Sequence, residues 1–116
     1  LAGQRNQSVE PQLDEWGVSE ETQAYSETAV SKEANIIVSG ATNTGKTTLL
    51  NMLLATLPPD RRVVAMEDTP ELHLGRFFDG IGLLASREEQ KGAGMVGWRE
   101  LYDHTMRITP DHIVLG

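Results

Sequence analysis

Eight consecutive residues carry the clearest chemistry in this sequence. The pattern G-x-x-x-x-G-K-[ST] is matched without a gap by Gly40, Ala41, Thr42, Asn43, Thr44, Gly45, Lys46 and Thr47. Glycines allow turns that point successive backbone N–H groups at a polyphosphate, and a helix that begins at Lys46 adds the positive end of its dipole. We expect Lys46 to contact the β and γ phosphates of ATP and the Thr47 hydroxyl to bind Mg²⁺. Thr48 is interpreted as a base contact or as a helix residue without a special role.

A second candidate is the acidic segment that follows a predicted buried strand at Val63–Met66. Its acids are Glu67, Asp68 and Glu71. Ligands of open parallel sheets bind outside the carboxyl ends of the strands. These acids could therefore activate a water molecule, or hold a metal ion indirectly through a bound water. Thr69, Pro70 and Glu71 equally match a plain helix start, with a cap, a proline and an acid. The residues alone leave both interpretations open.

The elements that must position these residues follow from hydrophobic patterning. Short apolar runs at 36–38, 63–66 and 112–115 predict buried strands, and 81–84 could be another. Helices are predicted from the Ser19 cap to near Asn35, from Lys46 to Leu57, and from Trp98 to about Ile108. The first should carry a narrow apolar face formed by Tyr25, Ala29 and Val30. Strands that alternate with helices predict an α/β fold with a parallel sheet covered on both faces.

Charge and composition restrict the remaining classes of function. The 116 residues carry a net charge of -7, and an acidic surface repels phosphate backbones, which argues against nucleic acid as a partner. The absence of cysteine excludes a disulfide scaffold and a thiolate zinc site. No apolar run approaches the roughly 20 residues that span a bilayer. Because the chain begins at Leu1 and ends directly after an apolar run, we expect it to be a piece of a longer protein.

Several other polar residues are better explained without a catalytic role. The histidines lack metal-ligand spacing and are interpreted as surface or structural residues; they are His73, His104 and His112. An arginine could reach a neighbouring subunit's phosphate, but solvated or salt-bridged roles explain the four candidates better; they are Arg76, Arg87, Arg99 and Arg107. Residues 88–92 are expected to form an exposed turn.

The order of these segments resembles the type II/type IV secretion ATPase family, especially its CpaF-like pilus and conjugation members. The resemblance covers about residues 12–116 and includes the lead-in at residues 16–19. Its matching stretches are the strand and loop at 35–51, the acidic box at 67–72, Arg99-Glu100-Leu101, and the run at 106–116. Two positions depart from the family, since Thr109 and His112 stand where members often carry Arg.

The resemblance implies a RecA-like P-loop NTPase core, of which residues 16–116 would be a part, preceded by a linker or domain remnant at 1–15. It also implies a homohexamer in the cytoplasm, peripheral to the inner membrane, whose ATP hydrolysis drives secretion, pilus assembly or conjugation. Glu67 and Glu71 would lie near the γ-phosphate and act with Lys46 in catalysis. The family's Walker B Glu would follow Gly116 and its His box would lie further on, so this chain is expected to bind nucleotide without turning it over.

Two other functions use the same phosphate loop. A small-molecule kinase would need an acceptor site and a lid rich in Arg, and the sequence shows no clear lid. A module switched by nucleotide binding alone would not hydrolyse ATP. Measurement of phosphate release separates that module from a motor, and addition of candidate acceptors would reveal a kinase.

Overall fold

A computed structural model describes residues 17–86 and 96–116. The chain divides into two units, residues 1–57 and 58–116, and each has its own internal structure. The predicted linker at 1–15, the lead-in residue Trp16, Arg87 and the predicted turn at 88–92 lie outside the described residues.

The first helix of the first unit, α1, spans Glu20–Ser31. Its start agrees with the prediction: the Ser19 hydroxyl accepts the Thr22 N–H at 3.3 Å and two acids occupy the first turn. The helix ends about four residues earlier than predicted. Glu33 has a φ of 56°, and a residue in this left-handed region cannot continue a right-handed helix.

The predicted apolar face of α1 is only partly correct. Ala29 and Val30 are half-buried, but Tyr25 is 76% exposed and the helix contains no fully buried residue. The strand predicted at 36–38 is wrong. Residues 34–40 belong to no strand, and Ile37 is 92% exposed. A β-branched run becomes a strand only where a neighbour accepts its backbone hydrogen bonds, and residues 36–38 make no such ladder.

The second helix, α2, spans Lys46–Ala55 and begins directly after the phosphate loop. The prediction of a largely buried helix is confirmed for its C-terminal half, where Met52, Leu53 and Leu54 are buried. It ends two residues before the predicted end, since the Thr56 hydroxyl donates to the Leu53 carbonyl at 2.7 Å and a Pro-Pro pair follows at 58–59.

The second unit has, within its described residues, three strands and one helix. In chain order these are β1 at Arg62–Glu67, β2 at Asp79–Leu84, α3 at Trp98–Arg107 and β3 at His112–Leu115. All neighbouring strands are parallel and their spatial order is β2-β1-β3. The predicted parallel sheet, the strands at 63–66, 81–84 and 112–115, and the helix at 98–108 are therefore confirmed.

The central strand, β1, forms the core of this unit. Its residues from 63 to 67 are all buried, as expected for a strand with a hydrogen-bonded neighbour on each edge. Met66 packs with Ala85 and Leu101 in the hydrophobic cluster, and α3 lies against β1. Thr105 of α3 is fully buried and its hydroxyl lies 3.5 Å from the Met66 sulfur.

Both ends of β1 are fixed by polar contacts. At the start, the Arg62 N–H donates to the Asp111 carboxylate at 2.7 Å, and the Asp111 N–H returns a bond of 2.9 Å to the Arg62 carbonyl. At the end, the Glu67 carbonyl accepts the Ala85 N–H at 2.8 Å. The acidic segment therefore follows a strand whose backbone is hydrogen-bonded at both its first and its last residue.

None of the helices in the described ranges is long and apolar enough to cross a membrane.

Candidate functional site

The phosphate loop closes on itself around one carbonyl oxygen. The Ala41 carbonyl accepts the Thr44 hydroxyl and the Lys46 ammonium group, each at 2.6 Å. The turn needs left-handed backbone at two positions, Asn43 with a φ of 60° and Gly45 with a φ of 92°. Asn is one of the few side chains that tolerate this region, and Gly adopts it without steric cost. The loop residues of the motif therefore form a compact, defined turn.

The two fixed glycines of the motif are required for different physical reasons. Gly45 has the left-handed backbone conformation, where a side chain is strained. Gly40 does not, but a Cβ added to Gly40 would lie 2.7 Å from the Thr44 hydroxyl oxygen. The loop thus brings the backbone of Gly40 against the side chain of Thr44, at a distance that leaves no room for a methyl group.

The start of α2 completes a site suited to a polyphosphate. The first N–H groups of an α-helix have no intrahelical acceptor, and Gly45, the residue before α2, has no side chain with which to cap them. The positive dipole end of α2 and the Lys46 ammonium group therefore lie on one short segment. Thr47, in the first turn, is half-buried. This donor set fits the phosphates of a nucleotide, and the Thr47 hydroxyl is of a chemical type that binds Mg²⁺.

The acidic segment in the second unit is organised by one of its own carboxylates. Glu67, the last residue of β1, is 4% exposed. Its Oε1 atom accepts two backbone N–H groups, from Glu71 at 2.8 Å and from Leu72 at 2.9 Å. Asp68 and Glu71 are exposed. Residues 68–78 contain no helix, so the interpretation of Thr69-Pro70-Glu71 as a helix start is wrong.

Gly116 lies directly beside the buried carboxylate. Its N–H extends the ladder between β1 and β3 by donating to the Met66 carbonyl at 2.9 Å. A Cβ added to Gly116 would lie 2.9 Å from Glu67 Cγ, 3.2 Å from Glu67 Oε1 and 3.3 Å from Leu72 Cδ1. The side chain of Glu67 is therefore held between the turn it caps and the backbone that follows β3.

The other polar candidates lie on the loop after β1 and on the second unit's helix and strands. His73 and His104 are exposed and His112 is half-buried on β3. The Arg76 guanidinium lies over the Phe77 ring at 5.6 Å, while Arg99 and Arg107 are exposed on α3. Within residues 17–86 and 96–116, no group of three or more His, Cys, Asp or Glu side chains is placed to hold a metal ion.

Two contacts of the candidate site could not be found from the sequence. The hydrogen bonds that the N–H groups of Glu71 and Leu72 donate to the Glu67 carboxylate were not predicted, because the pattern at Thr69–Glu71 indicated a helix start for the same residues. The approach of Gly116 to Glu67 joins residues 49 positions apart in the chain, and no local pattern signals it.

Comparison with known proteins gives a family. The family model described as "Type II/IV secretion system protein" matches residues 2–116. The type IV secretion system protein VirB11 of Bartonella henselae is 39% identical over 87 residues, which cover 75% of this chain and 24% of that protein. The conjugal transfer protein TrbB of Rhizobium radiobacter is 36% identical over 91 residues, covering 76% of this chain and 26% of that protein.

A solved structure gives the fold. The crystal structure of the VirB11 ATPase from the Brucella suis type IV secretion system, in complex with sulphate, matches 90% of this chain with a TM-score of 0.68 and 31% identity. The match covers 28% of that protein, so this chain spans about a quarter of the length of its relatives. The predicted α/β fold, as part of a P-loop NTPase core, is confirmed, and so is the predicted family.

Proposed function

Because the chain belongs to the type II/IV secretion system protein family, we propose that it is the nucleotide-binding part of a longer ATPase and binds ATP with Mg²⁺ through residues 40–47. One observation carries this proposal. The ungapped motif forms a closed turn in which Lys46, the left-handed Gly45 and the uncapped start of α2 follow one another. Such a segment concentrates positive charge and N–H donors where phosphates bind.

Each loop residue has a proposed role. Backbone N–H groups from Gly40 to Thr48 surround the phosphates, and the ammonium group of Lys46 leaves the Ala41 carbonyl to pair with the β and γ phosphates. The Thr47 hydroxyl binds Mg²⁺, which supplies charge neutralisation for the phosphates when bound. The sulphate in the Brucella suis structure is a tetrahedral oxyanion bound by a relative, which supports this choice of ligand chemistry.

In the full-length protein, we propose that ATP is hydrolysed and that this drives type IV secretion, pilus assembly or conjugative transfer. Glu67 and Glu71 of the acidic segment are the candidate carboxylates for hydrolysis in this chain. The names of the relatives, a type IV secretion protein and a conjugal transfer protein, support the role. A homohexamer in the cytoplasm, at the inner-membrane face of such a machine, is the assembly we propose.

The test of nucleotide binding is Lys46→Ala in the full-length protein, measured by isothermal titration with Mg·ATP. A charge-assisted hydrogen bond contributes about 1.5–3 kcal/mol, which corresponds to a Kd raised by about 10- to 150-fold at 1.4 kcal/mol per tenfold. Lys32→Ala is the matched control, because Lys32 is an exposed lysine of the same unit beyond the end of α1. Equal affinity of the Lys46→Ala and Lys32→Ala variants would refute the proposed site.

The test of hydrolysis is release of inorganic phosphate by the same proteins. We expect turnover by the wild type and by Lys32→Ala, and its loss in Lys46→Ala. Tight, Lys46-dependent binding without phosphate release would instead identify a module that is switched by binding alone.

A further inference from the structure

We propose that the side-chain amide of Asn43 donates a hydrogen bond to a phosphate oxygen of the bound nucleotide, in addition to the backbone contacts of the phosphate loop. This contact rests on the proposed function, because it belongs to the same site. Position 43 is one of the four variable positions of G-x-x-x-x-G-K-[ST], so the motif itself assigns no role to its side chain. The residues that form the contact all lie in the first unit.

The backbone at position 43 restricts the residue type without requiring a side chain. Asn43 has a φ of 60°, a left-handed conformation that Gly adopts without steric cost and that Asn and Asp tolerate better than other residues. Glycine alone would therefore satisfy the turn. Of the two side chains that also fit, Asp carries a negative charge, whereas Asn carries two N–H donors. Asparagine thus fits this backbone and can also bind an anion through its side chain.

The Asn43 carboxamide takes no part in holding the loop closed. Closure uses the Thr44 hydroxyl and the Lys46 ammonium group, which both donate to the Ala41 carbonyl at 2.6 Å. Asn43 is exposed, and within residues 17–86 and 96–116 its side chain makes no hydrogen bond. Its N–H donors are therefore available to a ligand, and their use breaks no contact of the free loop.

The charge of the first unit leaves room for a neutral donor. In its described residues, 17–57, the cationic side chains are Lys32 and Lys46, and Lys32 lies at the end of α1, outside the motif. Lys46 is therefore the only full positive charge of the loop, and any further side-chain donor from the loop to a polyphosphate is neutral. An amide N–H bonded to an ionised oxygen is stronger than a bond between neutral groups, so the Asn43 amide can add measurable affinity.

The experiment compares Asn43→Gly and Asn43→Asp with the wild type in the full-length protein, by isothermal titration with Mg·ATP. Gly keeps the left-handed turn and removes the amide. Asp keeps the turn and the size of the side chain but replaces the N–H donors with a negative charge. Titration in about 0.5 M NaCl suppresses the long-range effect of that charge, because the screening length is then about 4 Å.

We expect the affinity to fall in the order wild type, Asn43→Gly, Asn43→Asp. Asn43→Gly should raise the Kd about tenfold, which is the weaker end of the range for a hydrogen bond to a charged group. Asn43→Asp should bind more weakly still, because a carboxylate in direct contact with a phosphate is repelled even at high salt. Both effects should persist with Mg·tripolyphosphate, which has neither base nor ribose.

Matched controls come from a second asparagine. Asn35 is exposed in the same unit and lies outside the motif, so Asn35→Gly and Asn35→Asp should bind Mg·ATP like the wild type. Thermal unfolding without nucleotide should be unchanged in both Asn43 variants, since the side chain makes no hydrogen bond in the described residues. Should one Asn43 variant unfold, the other decides by itself: unchanged affinity overturns the contact, and a loss of tenfold or more supports it.

The order of the two Asn43 variants separates the contact from its alternatives. If the side chain only favours the left-handed backbone, Asn43→Asp should match the wild type at high salt and Asn43→Gly should be weaker, because glycine leaves the loop freer to move. If the amide oxygen instead holds a monovalent cation, Asn43→Asp should bind ATP more tightly than Asn43→Gly, since it keeps an oxygen ligand and adds charge. Either order, or unchanged affinity in both variants, would overturn the inference. A wild type whose ATP binding does not depend on Lys46 would refute the proposed function itself, which is a separate result.

Discussion

The approach of Gly40 to Thr44 makes Gly40→Ala an informative change in the phosphate loop. The new Cβ would lie 2.7 Å from the Thr44 hydroxyl oxygen, whereas ordinary contacts begin at 3.4 Å. The other neighbours, Thr44 Cβ and Lys46 Cγ, are both at 3.6 Å. Because only the hydroxyl is too close, we expect the Thr44 side chain to rotate and to give up its 2.6 Å bond to the Ala41 carbonyl.

The size of the effect follows from that one bond. A neutral hydrogen bond contributes about 0.5–1.5 kcal/mol, so if ATP binding requires the closed loop, Gly40→Ala should raise the Kd by about 2- to 12-fold. Thr44→Ala removes the same bond and should have a similar effect. The double variant should bind no more weakly than Thr44→Ala alone, because without the hydroxyl the added methyl group makes only ordinary contacts.

The assay is isothermal titration of Mg·ATP with the full-length wild type, the two single variants and the double variant. Gly75→Ala is the control for glycine replacement, since an added Cβ there meets nothing within 4 Å. If the two single effects multiply in the double variant, Gly40 and Thr44 act independently. That result would refute the contact as the reason for glycine at position 40.

Two further changes test the second unit. Gly116→Ala should destabilise the full-length protein by about 1–3 kcal/mol, as overpacking does, and should lower kcat, because the methyl group would press on Glu67. Denaturant unfolding measures the stability and phosphate release measures kcat. A Gly116→Ala variant as stable and active as Gly75→Ala would contradict this prediction. Thr105→Val should change the free energy of unfolding by less than about 1 kcal/mol, since it loses only a weak bond to sulfur. Thr105→Ser keeps the hydroxyl and loses a buried methyl group, so it should lower the free energy of unfolding by about 1 kcal/mol. If thermal unfolding shows Thr105→Val to be the less stable of the two variants, the hydroxyl matters more than the packing.

The parts of the fold that could be predicted are those whose cause is local. The Ser19 cap with its two acids predicted the start of α1, and the apolar run at 63–66 predicted the buried strand β1. The phosphate loop could be predicted residue by residue because each fixed type has its own steric or charge requirement.

The errors in prediction arose where a contact or a backbone conformation carries no local signal. The end of α1 depends on a left-handed Glu33, a conformation that the residue type does not favour. Residues 36–38 have the composition of a strand but pair with no strand of the described ranges 17–86 and 96–116. The Thr69–Glu71 pattern predicted a helix, yet the N–H groups of 71 and 72 bond to the Glu67 side chain, which competes with the helix for the same donors.

The polar contacts at the start of β1 have an effect at its other end. Side chains alternate between the two faces of a strand, so a shift of one residue in pairing would turn Glu67 to the opposite face of the sheet. The Arg62 N–H donates to the Asp111 carboxylate, its carbonyl accepts the Asp111 N–H, and Arg62 lies opposite Asp79 of β2. Glu67 lies five positions further along the strand, a distance of about 17 Å. The register set at Arg62 therefore determines the direction of a carboxylate that it never touches.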